Sequence, residues 1–570
     1  MKLLDQPMKQ QMEECKRKAR EAGLNFTDNT LEYIVTNRDM LELSPRDMIP
    51  TLYDYWLQDI QVLRNKWLYE AFPHNPYETV INTRPPISFY NQDNADWFNV
   101  MIFYHVLGHI DFDQNNIFFR RTWDDDFCGQ ALADKRLVNS IREQLGLEKR
   151  WVDYVIEFTK AIDNLVGYHA ELQDIDRRDA PEIFGILSEK INFYLGPFLK
   201  ERQETKVTEP QFYRDEIERY NRCVEQRGKI QAESAFFEDN DFRSKFPEFN
   251  DVFRKWKEKN RGPKPKDLIE YLIKHSEFLN REKNKWMIEV IQVIRRTSLY
   301  FQPQIRTKIA NEGWASLWHE RLFLPDPRIE THETDYSVLN SGVLSTPRLG
   351  INPYAAGKHL FEFIEHLATK GRLSPEYKHL QDSELRKRYD KNLGQDYGRN
   401  ALFEARKYLD DYLLVNFLSD EDFQDFVDKY KLFVVGMRPS REERDVVEFY
   451  IKSKDGRYYR KLLNDELYHP PNIEIDEQKS TDGDLYLNHI YEGRTLIARY
   501  IHSVLIGLEF FWGKRVSLET TEYEEIQPKD WWDRTAKRTY LKARVLYTCQ
   551  GRSVIRTYLD ITPATVYDDD

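Results

Sequence analysis

The sequence predicts a mostly helical protein, α+β overall, in which a large helical domain is followed by a small α+β domain. Three observations predict it. Apolar residues recur at helical spacing: Leu52, Tyr55, Trp56, Ile60, Leu63 and Trp67 in one stretch, and Val155, Phe158, Ile162, Leu165 and His169 in another. After residue 432 the pattern changes to short runs rich in β-branched and aromatic residues, which read as strands. These are LFVVG at 432–436, VVEFYIKS at 446–453 and ARVLYTC at 543–549. Finally, 41% of the 570 residues are hydrophobic and 32% charged, which suits a buried core under a charged surface and argues against disorder.

Taken in order, residues 1–75 read as a helical segment, with breaks at Pro45 and Pro50. Pro73 to Pro86 reads as an extended loop. A helix is expected over 94–110, with Asn94 or Asp93 as its N-cap. Another helix is expected over 150–176. Residues 205–266 are densely charged and end on Gly262, Pro263 and Pro265, the mark of a domain or subdomain joint. Helical patterning resumes at Asp267 and runs to about 433, so the main helical domain is placed at 76–433. The C-terminal domain, 434–570, combines the three strands with an amphipathic helix starting at Ala498 (ARYIHSVLIGLEFFWG).

Composition narrows the function. The formal net charge is -12, so no basic footprint for nucleic acid exists at whole-chain level. The short basic run from Arg254 to Lys266 reads as a solvated linker. Cys15, Cys128, Cys223 and Cys549 are widely spaced and form no CxxC pair, which argues against a thiolate zinc site and fits a reducing compartment. No apolar run reaches the roughly 18 residues that span a bilayer. The polar N-terminus does not resemble a signal peptide, so a cytoplasmic location is expected. Phosphate-loop, GxSxG and GxGxxG patterns are missing.

Two motifs carry chemistry. In YHVLGHIDF, His105 and His109 are four apart and share one helix face. Two imidazoles so placed can grip one metal ion, as in HExxH enzymes; two core histidines bonded to carbonyls or carboxylates would leave the same spacing. Gly108, costly inside a helix by about 1 kcal/mol, asks for a close approach. In NEGWASLWHE, the residues Glu312, Ala315, Ser316 and His319 fall on one face, a notch with polar ends. It suits either a ligand-bearing helix or simple helix packing. Glu78, Asn82, His169, Glu171, His332 and Glu333 are further polar candidates, each equally readable as a surface, cap or core residue.

These motifs, in this order, resemble the SpoVR family (stage V sporulation protein R). The resemblance includes YETVINTRPPISFY from Tyr77, HVLGHIDFDQNNIFF from His105, YFQPQIRTKIANEGWASLWHERL from Tyr300 and GINPYAAGKHLFEFI from Gly350. PPNIEI from Pro470 and DLYLNHIYEGRTLIARYIHSVLIGLEFFWGKRVSLE from Asp484 extend it, so that it spans about residues 75–520. It implies a cytoplasmic protein linked to the spore cortex, a peptidoglycan layer, or to stress, and accompanied by a PrkA-type serine kinase and a YhbH/YeaH-type protein.

The HxxGH block is also similar to the helix of gluzincin peptidases. That similarity implies a metallopeptidase-like helical domain, with His105, His109 and Glu312 as ligands of one zinc ion. The expected activity is hydrolysis of an amide in a cell-wall peptide or precursor. The peptidase pattern is broken at Val106, where the water-activating Glu would stand, so Glu171, Glu78 and His319 become the catalytic candidates. It is broken again at Asn340, where family members often carry His. A non-catalytic regulator or scaffold working with the kinase is the alternative. A di-iron carboxylate bundle would require Glu-x-x-His pairs on two helices, which the matching blocks do not supply.

Overall fold

The computed structural model describes residues 2–36, 39, 78–122, 127–162, 165, 189–194, 198–199, 215–216, 219–220, 222–223, 226, 229–260, 267–345, 350–374, 377, 380, 383–439, 447–480, 483–492, 494–526 and 539–563. The helices from Leu52 to Trp67 and around His169, the joint at Gly262–Pro265, and Glu171 fall outside the described residues. The protein is mostly α, with small sheets, as the patterning predicts.

The principal helices include α1 (Gln6–Glu21), α2 (Asp96–Asn115), α3 (Arg150–Ala161), α4 (Lys285–Arg306), α5 (Lys308–Phe323), α6 (Glu333–Val343), α7 (Pro353–Thr369), α8 (Gln395–Tyr408) and α9 (Ala498–Trp512). Helix α2 is apolar nearly all round and buried from Phe98 to Gly108, which makes it the central element of the first core. Its N-cap is Ala95, which offers no side-chain bond. Asn94, an expected cap, instead donates to Asn99.

Helix α5 packs against α2 on one side and α7 on the other. Glycines set both approaches. A Cβ on Gly108 would stand 2.8 Å from Ala315 Cα, and one on Gly313 would stand 2.3 Å from the Gly357 carbonyl carbon. These distances are shorter than any stable carbon contact, so the two helix crossings demand residues without a Cβ.

A four-stranded sheet lies at the N-terminal end, in the order β1 (Lys2–Leu3), β2 (Leu31–Val35), β4 (Ile87–Asn91), β3 (Glu78–Ile81). Strand β2 runs parallel to β4, and β3 pairs antiparallel with it, with Glu78 opposite Tyr90. Two expectations are corrected here. Residues 31–35 form a strand where a helix was expected. Residues 78–81 are a strand where a loop was expected, because their β-branched side chains pair with β4 (87–91), which itself pairs with β2, despite the neighbouring prolines.

The C-terminal region holds a ribbon of β5 (Val434–Pro439) and β6 (Val447–Ser453), then a five-stranded sheet. Its order is β11 (Ser553–Pro563), β10 (Thr539–Gln550), β9 (Val516–Ile526), β8 (Leu485–Ile490), β7 (Asn472–Ile475). Strands β8 and β9 are parallel, with α9 as their connection. This sheet shares one apolar core with α3, α4 and α9, through residues such as Val155, Val290, Leu505, Leu518 and Val545.

The charged stretch before Gly262 contains helices at Lys229–Glu238, Asn240–Lys245 and Phe249–Asn260. They gather Phe236, Phe237, Phe242 and Phe249 into an aromatic cluster around Tyr194. Arg254 to Asn260, expected as linker, thus lies on a helix. Among the described residues, no helix is long and apolar enough to cross a membrane.

Candidate metal centre

The candidate ligands stand on two helices that buried bonds lock together. Asp111 of α2 accepts from Trp314 Nε1 of α5 at 2.8 Å, from Arg406 of α8 at 2.8 Å, and from the Asn25 backbone at 2.7 Å. The first turn of α5 is held by Asp411, which accepts from the Ile309 and Ala310 amides at 2.9 and 2.7 Å. Such bonds satisfy helix amides that have no partner within the helix. Next to them, Arg306 and Asp410 form a fully buried ion pair at 2.9 Å.

With α5 fixed in this way, His105, His109 and Glu312 converge. Each offers a ligand atom within 4.8 Å of the others. His105 Nε2 and His109 Nε2 are 3.1 Å apart, and Glu312 Oε2 lies 3.8 Å from the first and 3.5 Å from the second. Two facing imidazole nitrogens need a proton or a cation between them, because paired lone pairs repel. Glu312 Oε2 is buried and has no hydrogen-bond partner of its own. An orphaned buried carboxylate oxygen beside two converging ring nitrogens fits a divalent cation, and two His with one Glu are the donor set that zinc accepts.

The electrostatics follow the same logic. Burial opposes charge on His105, yet Glu312 and Glu78 outweigh it and raise its pKa. Burial and the neighbouring His105 push His109 down to about 4. Glu312, despite burial, is held below the usual carboxylate range by the two imidazoles. Tyr354 stacks over His105 with ring centroids 6.1 Å apart, its phenol pushed up by burial and by Glu312 and Glu78.

Glu78, carried by β3, places Oε1 3.9 Å from His105 Nε2. Burial, reinforced by Glu312, raises its pKa. Val106 is fully buried in the apolar core. His319 stands on the far side of His105, with Nδ1 2.9 Å from His105 Nδ1 and Nε2 3.1 Å from Asn340 Oδ1. Burial and the charge of His105 push His319 down to about 3. Both its nitrogens are engaged, one by His105 and one by Asn340, so His319 is placed behind His105 rather than at the point where the three candidate ligands meet. On the other ligand, His109 Nδ1 meets Asn311 Oδ1 at 2.9 Å, and Asn311 donates to Asp113 at 3.1 Å.

The remaining candidates lie elsewhere. Asn82 bonds Thr122 and receives the Tyr300 hydroxyl on its carbonyl. His332 stacks on Trp97 at 5.4 Å, and Glu333 opens α6. Asn311 and Tyr354 were not singled out from sequence. Asn311 adjoins Glu312 inside the NEGWAS motif, which was the available signal; Tyr354 had only its place in the GINPYAAGKH block.

The family described as "SpoVR like protein" matches residues 4–469 of this chain. The chain belongs to the SpoVR family. A relative from Escherichia coli (strain K12), uncharacterized protein YcgB, is 23% identical over 507 residues, covering 85% of this chain and 86% of the relative. No solved structure matches. The described site residues, Glu78, His105, His109, Glu312 and His319, all fall within the SpoVR match.

Proposed function

We propose that this SpoVR protein is a zinc-dependent hydrolase of an amide bond in peptidoglycan-type peptides or their precursors, acting in the cytoplasm. The observation that supports it is the convergence of His105, His109 and the unpartnered Glu312 Oε2 on one point. A zinc ion held there supplies Lewis acidity to a scissile carbonyl.

The chain's own residues supply the rest. His105 and His109 orient the site from one helix face, and Tyr354 walls it beside His105. Glu78 takes the role that Val106 leaves vacant. Its carboxylate faces the same point, and burial moves its pKa toward the range where one group can accept a proton and then return it. Glu78 Oε1 removes the proton from the attacking water and delivers it to the departing amine. The peptidoglycan-type substrate rests on the link of the family to the spore cortex.

The test is elemental analysis of the purified, zinc-loaded full chain. One equivalent is expected, lost in His105→Ala and in Glu312→Ala. Parent protein that holds no zinc after loading overturns the proposal. One observation favours a second reading, a non-catalytic partner of a PrkA-type kinase: Val106 is locked in the core where a peptidase has its base. Loss of function in Glu78→Gln with zinc retained would speak against that reading.

A further inference from the structure

Behind His105 runs a chain of polar contacts that ends on a carboxylate. His105 Nδ1 meets His319 Nδ1 at 2.9 Å, and His319 Nε2 meets Asn340 Oδ1 at 3.1 Å. Asn340 Nδ2 donates to Glu320 Oε2 at 3.1 Å, and Glu320 Oε1 pairs with Lys358 Nζ at 3.1 Å. Lys358 is anchored in turn by Glu362 at 2.8 Å. His105, His319 and Lys358 are buried, and Asn340 and Glu320 are half-buried.

The direction of each bond can be worked out from the far end. A carboxylate paired with an ammonium accepts hydrogen bonds and donates none. Asn340 therefore turns its NH2 to Glu320, which leaves its carbonyl facing His319 Nε2. That nitrogen must carry a hydrogen. A neutral imidazole protonated on Nε2 has its lone pair on Nδ1, and the group opposite is His105 Nδ1, which must then be the donor. Neutral His105 so fixed keeps its lone pair on Nε2, the atom that faces His109 and Glu312.

We infer that Glu320 and Asn340 are positioning residues that set the tautomers of His319 and His105 and thereby keep His105 Nε2 free to ligate a divalent cation. The inference rests on the zinc reading for its purpose, but the tautomer order can be read without metal. Neither residue touches the ligand point. Both act through His319, as outer partners of a metal-binding imidazole do.

The deciding variant is Glu320→Gln in the full chain. It preserves shape but adds a donor, so Asn340 can turn over. The hydrogen of His319 then moves to Nδ1, that of His105 moves to Nε2, and the ligand atom is blocked. The double variant E320Q/N340D restores the order, since the new amide donates to the new carboxylate, which accepts from His319 Nε2. Lys358→Met removes the ion pair without reversing any bond.

Zinc affinity, measured by competition with a chromophoric chelator, is expected to fall ~10–100-fold in E320Q. It should return to within about threefold of parent in E320Q/N340D and stay there in K358M. Ring ¹⁵N shifts in metal-free, histidine-labelled protein should show His319 protonated on Nε2 in parent and on Nδ1 in E320Q. Undiminished affinity in E320Q, or a double variant as weak as the single one, overturns the inference.

If the parent holds no zinc, the metal reading falls and the ring shifts alone decide. An unchanged His319 shift in E320Q then overturns the inference, and a switched one upholds it. If E320Q does not fold, the double variant decides: parent-like ring shifts uphold the inference and a switched tautomer overturns it.

Discussion

At the scale of single residues, the sharpest question is what Glu78 does. It could hold the cation as a fourth ligand or move protons beside it. Glu78→Gln separates the two, because an amide is a poor base and a poor zinc ligand. If Glu78 is the base, zinc affinity changes only a few-fold while hydrolysis of a cell-wall peptide amide falls about 10²–10⁴-fold. A large loss of zinc in E78Q would make it a ligand instead.

His105 and His109 were legible as a pair because helical spacing puts the imidazoles one turn apart, and small residues marked a close crossing; Glu312 as their partner came only from the resemblance to metallopeptidases. Glu78 was only one of several polar candidates. Its place depends on β3 pairing with β4, which no local pattern reveals. The role of His319 was hidden for a similar reason: it depends on Asn340, brought in by α6.

At the scale of elements, the site is as precise as two helix crossings allow. Gly313→Ala tests this. In an exposed helix the change would gain about 1 kcal/mol of propensity. Here the added methyl would stand 2.3 Å from the Gly357 carbonyl carbon, which is backbone and cannot rotate away. Overpacking of this kind costs about 1–3 kcal/mol or more, so a net loss is expected. Thermal unfolding should show a lowered midpoint in G313A, together with weakened zinc binding as α5 shifts. A midpoint at or above that of parent would mean that α7 gives way easily.

Of the striped stretches, Arg150–Ala161 lies on a helix, whereas α2 is apolar nearly all round and carries no stripe; β5, β6 and β10 were readable from their β-branched runs. The N-terminal strands were not. Leu31–Val35 is too short to show a period and is defined by pairing with the distant β4, and Glu78–Ile81 sits between prolines and is defined by pairing with the next strand.

At the scale of the whole molecule, segments far apart in sequence meet on one carboxylate beside the site. Asp326 accepts from Tyr104 of α2 at 2.7 Å, pairs with Lys18 of α1 at 3.0 Å, and is gripped by Arg328 at 2.6 Å. Burial alone would raise its pKa, but Arg328 foremost, then Tyr104 and Lys18, holds it well below the usual carboxylate range.

The sign of the pH dependence follows. A carboxyl group whose folded pKa lies below its unfolded value of about 3.9 stabilises the fold above that value. The contribution is lost as pH falls below about 4 toward the depressed folded pKa. Asp326→Asn should therefore lower stability at pH 7 by about 2 kcal/mol, the worth of hydrogen bonds to a charged group. The gap between parent and D326N should narrow as the pH is lowered from about 5 to 3, because the parent loses what the variant never had. Thermal unfolding of both proteins across that range checks it. A gap that stays constant with pH would mean that Asp326 acts by shape alone, and that its charge does not tie α1 to the helix that carries His105.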